Sequence, residues 1–567
     1  MSLADVIAAA RGELVADLLL ANARLVNVLS GEIHMADVAI HDGRVVGLGD
    51  YAARQVVDLG GRFLCPGFID AHVHLESSMV QPAEFARAVM PRGTTTVICD
   101  PHEIANVLGL DGVRYILKAS RQLYLSVYVM APSCVPATSM ETSGAELGAS
   151  DIARLLRANR VLGLAEMMNY PGVLYRLSDV LAKLAAAQGL PVDGHAPGLS
   201  GKDLSAYVAA GIRSDHECTD VNEAREKLRL GMHIFIREGT TARNLEALLP
   251  LVTPANARFC HFCTDDRHPD TLLTEGHIDD LVRRAIAWGL DPVLAIQMAT
   301  LNTAQYFGLG DQGAIAPGYS ADLVVLDDLE SVRVAQVYAG GQRVAEDGYF
   351  LPVTSGSRQP LRPSVHVDAS AVNFSIPAGD GPARVIGVIP GQIVTQLLRM
   401  DPAVQGGLVV ADPERDLLKI AVVERHRGTG HVGLGLVKGV GLRRGAIASS
   451  VAHDSHNLVV IGADDGDMRT AIAAIAGMGG GQVAVVDGQV RAACPLPIAG
   501  LMSDLSLEEV SAQGAALTQA AHDLGCTLPD PLMTMSFMAL PVIPVLKLTD
   551  LGLVDVSRFA IVPLFGG

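Results

Sequence analysis

The sequence lacks the long apolar runs and basic clusters that mark membrane-bound and nucleic-acid-binding proteins. No run of about 18 uncharged apolar residues is present, which is the minimum for a membrane-spanning helix. The N-terminus has an acid at Asp5 and no basic flank before its apolar residues, unlike a secretory signal. A net charge of −18, without a basic run, would repel a phosphate backbone. We therefore expect no membrane partner, no export and no nucleic-acid partner.

Cysteine is also scarce, and the chain is too long for one core. Eight cysteines among 567 residues indicate reduced thiols rather than a disulfide framework, which favours a cytoplasmic location. Hydrophobic residues make up 49% and charged residues 18%, as in globular rather than disordered proteins. A single hydrophobic core seldom serves more than roughly 300 residues, so the length predicts two to four domains.

Two separate stretches share a pattern of short strands and tight turns. From about residue 17 to residue 64, strand-like runs are interrupted by turn dipeptides, as in the probable hairpin VAIHDGRVVGLG. A similar pattern returns over residues 313–348. We predict that residues 1–64 and 311–360 form one composite β-sandwich domain.

The stretch between these two pieces alternates strand-like and helix-like patterns. The apolar runs are TTTVICD, LYLSVYVMAPS, VLGLAEM, LPVDGHA, GIRSDHE and ARFCHFCTDD, and DIARLLRAN is one of the helical patterns. This α/β alternation predicts a (β/α)8 TIM-like barrel over residues 65–310, with an open doubly wound sheet as the rival arrangement. Gly-rich turns, the helical AIAAIAGMGGG and the hairpin-like VAVVDGQV then predict an α+β domain over residues 361–567.

The segment PGFIDAHVHLESS carries the strongest chemical signal. Its apolar strand ends in His72 and His74, and alternate side chains of a strand share a face. Both imidazoles can therefore point to one metal ion, and Asp70 would point with them.

Polar residues also end four later strands that are otherwise apolar. These residues are Glu166, His195, His216 and Asp265. A buried polar group is costly unless it has a partner, and a metal ion would serve all four. A hydrogen-bonded residue at the end of a strand is the simpler explanation for any one of them, but not for the whole set.

The motifs PGFIDAHVH, TDDRHP and PGYSADLVVLD together resemble the amidohydrolase superfamily. The segments PGFIDAHVHLESSMV, VICDPHEIANVLG and SVAHDSHNLVVIG are similar to the adenine deaminases within it. The resemblance covers nearly the whole chain. It implies a barrel with a composite β domain and a divalent metal centre at the ends of the strands.

The resemblance also implies which residues bind the metal. His72 and His74 match the ligands of the first strand, and Glu166 matches the bridging ligand of the fourth strand. His195 and His216 match the ligands of the fifth and sixth strands. Asp265 matches the aspartate of the eighth strand. Many relatives bridge two ions with a carboxylated lysine, but no lysine lies near Glu166, which favours a glutamate bridge. The implied cofactor is a binuclear Mn(II) or Fe(II) centre, with Zn(II) as an alternative.

The implied reaction is hydrolysis of adenine, a small purine base, to hypoxanthine and ammonia, as in purine salvage. A hydroxide on the metal would attack the ring, Asp265 would accept its proton, and His216 or Glu103 would protonate the ring nitrogen. A homodimer would be usual for the superfamily. The alternatives are a cyclic amidase of the dihydroorotase or allantoinase kind, and a non-catalytic metal-binding scaffold.

Several further polar residues are weaker candidates for substrate contacts. Asp100, His102 and Glu103 follow the second predicted strand, and His268 follows TDD. Neighbours on a strand face opposite ways, so only one of Asp265 and Asp266 should reach the metal. Asp265 is preferred because TD followed by a short loop and HP resembles the superfamily pattern. His453, Asp454 and His456 lie close together in SVAHDSHN, which predicts that the C-terminal domain approaches the mouth of the barrel. For these groups, loop capping or structural capping is an equal alternative.

Overall fold

The computed structural model describes residues 2–352 and 361–566. The predicted end of the composite β domain at residue 360 therefore lies outside the described residues.

Eight parallel strands form the centre of the molecule, in the order in which they occur along the chain. They are β1 (Phe68–Val73), β2 (Thr94–Cys99), β3 (Ser126–Ala131), β4 (Val161–Met167), β5 (Val192–Gly194), β6 (Ser214–Asp215), β7 (His233–Arg237) and β8 (Cys260–Cys263).

These strands curl into a closed arrangement. Strands β1–β5 and β6–β8 form two hydrogen-bonded sheets, and Arg213 N donates to Val192 O at 3.0 Å where they meet. At the other junction, Asp265 N donates to His72 O at 2.9 Å and His74 N donates to Asp265 O at 3.1 Å. The sheet thus returns from β8 to β1, as in a TIM-like barrel and not in an open doubly wound sheet.

Short helices connect successive barrel strands and follow the last one. They span Pro82–Val89, His102–Leu108, Leu110–Ala119, Ala149–Leu155, Tyr170–Leu174, Ser178–Ala186, Gly201–Ala209, Val221–Arg229, Leu245–Leu248, Pro269–Thr274, Ile278–Ala287, Pro292–Met298 and Leu301–Tyr306.

Alternation along the strands divides the apolar residues between two cores. In β2, Val97 and Cys99 pack in the large core that includes the helices, whereas Ile98 packs in a smaller cluster with Met130 and Phe235. Ile98 and Met130 come from the neighbouring strands β2 and β3, and Phe235 comes from β7 across the barrel, so the smaller cluster fills its interior. Both faces of each strand are covered, which explains the nearly continuous apolar runs of the sequence.

A nine-stranded sheet combines segments from both sides of the barrel sequence. Its strands are Ala16–Asn27, Glu32–His41, Arg44–Leu48, Ala53–Asp58, Phe63–Pro66, Leu323–Leu326, Val334–Ala339, Gln342–Glu346 and Tyr349–Phe350. The predicted hairpin is confirmed, with Asp42 and Gly43 at positive φ angles of 47° and 76° as in a type I′ turn. Phe63–Pro66 pairs with Leu323–Leu326 and leads directly into β1.

The C-terminal region is built on an eight-stranded sheet. In spatial order its strands are Thr395–Met400, Ala383–Val388, Val432–Lys438, Leu417–Val423, Leu458–Gly462, Ala446–Ser449, Gly481–Val486 and Gln489–Pro495. The helices of this region are Asp465–Met478, Leu507–Asp523 and Pro531–Phe537, and two smaller sheets comprise Ile376–Pro377, Ala403–Gln405 and Leu408–Val410, and Leu546–Thr549, Gly552–Asp555 and Ala560–Val562.

Most of the local predictions for this region are confirmed. AIAAIAGMGGG begins within the helix Asp465–Met478, and VAVVDGQV forms a hairpin. The Gly-rich segment GTGHVGLGLVKGVG is a turn region only at its two ends, where Gly428, Gly430, Gly439 and Gly441 have positive φ. Its middle forms the strand Val432–Lys438, which pairs along its whole length with Leu417–Val423.

No helix among the described residues is long and apolar enough to cross a membrane. All eight cysteines are buried and unpaired, as expected for reduced thiols.

Candidate metal centre

The two imidazoles at the end of β1 meet below the mouth of the barrel. His72 Nε2 lies 3.2 Å from His74 Nε2, and both rings are almost completely buried. His74 Nδ1 lies 2.9 Å from the carbonyl oxygen of Asp100, so it is the nitrogen that donates a proton there. Its Nε2 is then free to act as a metal ligand, which is the usual division between the two nitrogens of a ligating histidine.

Glu166, at the end of β4, connects these two histidines to two others. Its Oε1 lies 3.7 Å from His72 Nε2 and 3.4 Å from His74 Nε2. Its Oε2 lies 2.7 Å from His195 Nδ1 and 3.4 Å from His216 Nε2. One oxygen therefore faces each pair of imidazoles, which is the arrangement expected of a carboxylate that bridges two cations.

Asp265 completes the group from the other side. Its Oδ1 lies 3.0 Å from His74 Nε2 and 3.6 Å from His72 Nε2. His72, His216 and Asp265 form one possible ligand set, and Glu166, His195 and His216 form another. The six predicted ligands thus converge from five different strands.

Asp266 lies closer to this group than strand alternation predicts. Strand β8 ends at Cys263, and Asp265 has a left-handed backbone with φ of 56°. The two aspartates are therefore not on a strand, and the argument that they face opposite ways is wrong. His74, Asp265 and Asp266 can share one ion, although the Asp266 carboxylate also accepts a hydrogen bond from Ser77 Oγ.

Mutual contacts set the charges of these buried groups. Burial opposes ionisation of Glu166, but His216 and His195 hold the pKa of its carboxyl well below the usual range. Burial likewise opposes the charged form of His216, but Glu166 raises the pKa of the imidazole to about 9. Such alternation of acid and imidazole around one space is the electrostatic pattern of a site that can accept cations.

Asp100 and His102 border this group. His102 Nδ1 lies 3.1 Å from Asp100 Oδ2 and 3.5 Å from Glu166 Oε1. Both of these atoms of Asp100 and His102 are buried and make no hydrogen bond of good geometry. The structure therefore brings both residues to the site, with buried polar atoms available to a ligand.

Glu103 joins the barrel to the C-terminal region. Its Oε1 lies 2.5 Å from His453 Nδ1, and its Oε2 contacts His456 Nε2. Asp454 Oδ1 lies 4.0 Å from His102 Nε2. The SVAHDSHN segment thus reaches the mouth of the barrel, as the sequence predicted. We call Glu103, His453, Asp454 and His456 the lid cluster.

The two histidines of the lid cluster differ in their ionisation. Burial opposes the charged form of His453, but Glu103 raises the pKa of this imidazole to about 9. Burial lowers the pKa of His456 to about 4. At neutral pH the cluster therefore contains a charged His453 and a neutral His456 on one carboxylate.

This difference predicts how stability depends on pH. The charged groups around His453 are Glu103, Asp454 and Asp266. Because the pKa of His453 is higher in the folded protein, its charged form stabilises fully below about pH 6.5, and this contribution is lost as the pH rises through about 9. We expect the unfolding temperature of His453→Ala to fall less steeply than that of the wild type over this interval.

Exposed His431 provides the control for this measurement, because its side chain is 55% exposed. His431→Ala should retain the wild-type pH profile. Parallel profiles for the wild type and His453→Ala would contradict the assigned role of the Glu103 contact.

Two residues that the sequence singled out, His268 and Asp70, do not join the ligand group. His268 Nδ1 lies 3.7 Å from Asp530 Oδ2, and it contacts none of the six ligands by hydrogen bond or ion pair. Asp70 accepts a hydrogen bond from Thr264 Oγ1 at 2.5 Å instead of pointing with the imidazoles. Glu217 and Arg237 are buried beside the ligands and were not predicted from the sequence. The sequence did contain an indication of each, since both are polar residues at the ends of apolar runs.

Comparison with known proteins identifies the family. The amidohydrolase family model matches residues 63–344, and the model of the adenine deaminase C-terminal domain matches residues 392–560. An adenine deaminase of Desulfatibacillum aliphaticivorans is 56% identical over 99% of both chains. The adenine deaminase of Methanothrix thermoacetophila is 53% identical over all of both chains. That of Oleidesulfovibrio alaskensis is 52% identical over 99% of this chain and 98% of its own length. With this conservation over its full length, the chain belongs to the adenine deaminase family of the amidohydrolases.

Proposed function

We propose that this protein catalyses the hydrolytic deamination of adenine to hypoxanthine and ammonia. The observation that carries the proposal is the convergence of His72, His74, Glu166, His195, His216 and Asp265 at the ends of the barrel strands. It occurs in a chain that shares more than half of its residues with adenine deaminases.

The donor set fits divalent cations. Four imidazoles and two carboxylates suit manganese, iron(II) or zinc, and Glu166 faces two pairs of imidazoles with separate oxygens. We infer a binuclear Mn(II) or Fe(II) centre, with Zn(II) as the alternative. Such a centre supplies a water molecule whose pKa is lowered towards neutrality.

Asp265 is the residue we assign as general base. Its Oδ1 faces the His72 and His74 side of the site, where a proton has to be removed from the attacking water. Burial opposes its ionisation, but Arg237 and the imidazoles hold the pKa of its carboxyl well below the usual range, so it is present as a carboxylate. Asp265 would accept the proton and pass it to the departing amine.

A second group has to protonate the purine ring, and the geometry favours Glu103 over His216. The Nε2 atom of His216 faces Glu166 within the ligand group, so that nitrogen is committed when a cation is bound. Glu103 instead shares a proton with His453 and lies 3.6 Å from His102, which borders Glu166. The Glu103–His453 pair therefore holds a proton at the mouth of the site.

The C-terminal region serves as a lid over this site. Besides the lid cluster, Ser503 N donates to Met79 O at 2.7 Å, and Leu507 N donates to Glu84 Oε1 at 2.9 Å. We infer three domains, namely 1–64 with 311–360, 65–310 and 361–567. The lid would exclude water and orient the purine, for which Asp100, His102 and Asp454 provide buried polar atoms.

Free adenine should be the preferred substrate. The relatives that share more than half of the residues of this chain are adenine deaminases, and buried contacts of Glu103 with two histidines restrict the space at the mouth of the site. We expect kcat/KM for adenine to exceed that for adenosine by about 100-fold or more. Comparable values for the two substrates would contradict the assignment.

Ammonia release from a substrate panel, combined with metal analysis, tests the function most directly. The panel contains adenine, adenosine, cytosine, guanine and dihydroorotate. Release from adenine in proportion to metal content is the expected result. Turnover of dihydroorotate in preference to adenine would instead identify a cyclic amidase.

A further inference from the structure

Arg237 lies at the end of β7, one of the three barrel strands that provide none of the six ligands. Its side chain is only 6% exposed. Nη1 donates to Asp265 Oδ2 at 2.6 Å and also contacts Glu217 Oε1, while Nη2 donates to Glu217 Oε2 at 3.1 Å. One guanidinium thus holds two carboxylates at once.

This contact restrains the orientation of Asp265. The Asp265 carboxylate follows β8 at a left-handed residue, and rotation about the last torsion of an aspartate is only weakly restricted. Arg237 holds Oδ2, and the other oxygen, Oδ1, is thereby directed to His74 at 3.0 Å. Among the described residues, no other side chain donates a hydrogen bond to Oδ2.

Arg237 also restrains Glu217. Oε1 of Glu217 lies 3.6 Å from His195 Nδ1 and 3.5 Å from His216 Nε2. Glu166 Oε2 lies at nearly the same distance, 3.4 Å, from His216 Nε2. Glu217 is therefore close enough to compete for these imidazoles, and the paired hydrogen bonds from Arg237 hold it in place.

Arg237, Glu217 and Asp265 differ from an ordinary buried ion pair because one positive charge faces two negative charges. A buried arginine needs one carboxylate to compensate its charge, and Glu217 alone would provide it with two hydrogen bonds. By sharing its charge with Asp265, Arg237 leaves the group of three with one net negative charge. That negative charge remains on the Asp265 carboxylate, whose Oδ1 faces His72 and His74.

We propose that Arg237 is a positioning residue for this site, which fixes the Asp265 carboxylate for proton transfer and prevents Glu217 from replacing Glu166 as the partner of His195 and His216. The kinetic test of this inference rests on the proposed deamination. Arg237 acts through Asp265 and needs no contact with the substrate.

A double-mutant cycle tests the proposal in the metal-loaded full-length protein. Arg237→Met should lower kcat by about 100-fold, because misplacement of a reacting group by about 1 Å has this effect, while KM and metal content change little. In an Asp265→Asn background, the same substitution should lower kcat by less than about threefold, since the two residues act as one unit. Effects that multiply in full, or loss of metal as the cause of inactivity, would overturn the proposal.

Arg237→Lys keeps the test decisive if the methionine variant does not fold. Lysine retains the charge but cannot hold two carboxylates with a planar fork, so we expect a clear kcat defect here as well. Wild-type kcat in Arg237→Lys would overturn the proposal. Arg243→Met is the matched control, because Arg243 pairs with Glu275 at the partly exposed surface and should change kcat little.

A crystal structure of Arg237→Met separates this inference from the proposed activity. We expect the Asp265 carboxylate to rotate, or Glu217 to move towards His195 and His216. Unchanged positions of both carboxylates would overturn the inference whatever the substrate. Failure of the wild type to deaminate adenine, with these movements present, would overturn only the proposed function.

Discussion

The His72→Ala variant is expected to lose its bound metal and its deaminase activity together. His72 lies within 3.7 Å of His74, Glu166 and Asp265, so its removal opens the centre of the ligand group. His72 belongs to two of the possible ligand sets, so a cation in either set would lose a ligand and be bound more weakly, even when metal is in excess. The decrease in kcat/KM should exceed the 10- to 100-fold that loss of an outer partner of a metal ligand typically costs.

The measurement combines metal content after gel filtration with the rate of ammonia release from adenine. His431→Ala is the control for a lost imidazole, because this side chain is half exposed and lies in the C-terminal region. It should retain both metal and rate. Full turnover by stoichiometrically metal-free His72→Ala protein would exclude the assigned centre.

The ligand group could be predicted from the sequence because each member ends an apolar strand. In a barrel the carboxyl ends of all strands meet at one rim, so His72 and Glu166 were expected to be neighbours without knowledge of any contact. The same reasoning predicted strands for most of the barrel. It depends only on local pattern and on the rule that parallel strands share a direction.

Contacts between distant segments were less accessible. Glu103 and His453 are 350 positions apart. The composition of SVAHDSHN predicted that this segment approaches the mouth of the barrel, but not that both of its histidines contact one carboxylate. Strand β7 was missed because HIFIR has only three apolar residues between His233 and Arg237, although glycines lie on both sides of the run. With it, the contact of Arg237 with Glu217 and Asp265 was also missed, since that contact requires β6, β7 and β8 to lie side by side.

The backbone conformation at Asp265 explains why the orientations of Asp265 and Asp266 were predicted wrongly. The sequence TDD after β8 was treated as a continuation of the strand, in which Asp265 and Asp266 would face opposite ways. A left-handed residue at Asp265 turns the chain, and both carboxylates then lie near His74. Such a conformation is uncommon for residues other than glycine, and no pattern of polarity reveals it. The choice between the two aspartates therefore has to be made by experiment.

The Asp265→Asn variant is expected to keep its metal while kcat falls by roughly 10²- to 10⁴-fold, the usual contribution of a general base. An amide has nearly the same shape as the carboxylate and can still place an oxygen 3.0 Å from His74, but it cannot accept the proton of the attacking water. Five of the six ligands remain, so metal content should change little, and KM for adenine should change less than kcat.

Asp266→Asn and Asp270→Asn make the comparison specific. Asp266 also lies near His74 but accepts a hydrogen bond from Ser77, and Asp270 is exposed on the helix that follows. If Asp265 is the base, Asp266→Asn should lower kcat by no more than about 100-fold, as expected for a group that only supports a ligand. Asp270→Asn should have no effect. A severe defect in Asp266→Asn beside a nearly normal Asp265→Asn would transfer the role of base to Asp266, because both carboxylates can reach the same space and only one of them can be receiving the proton.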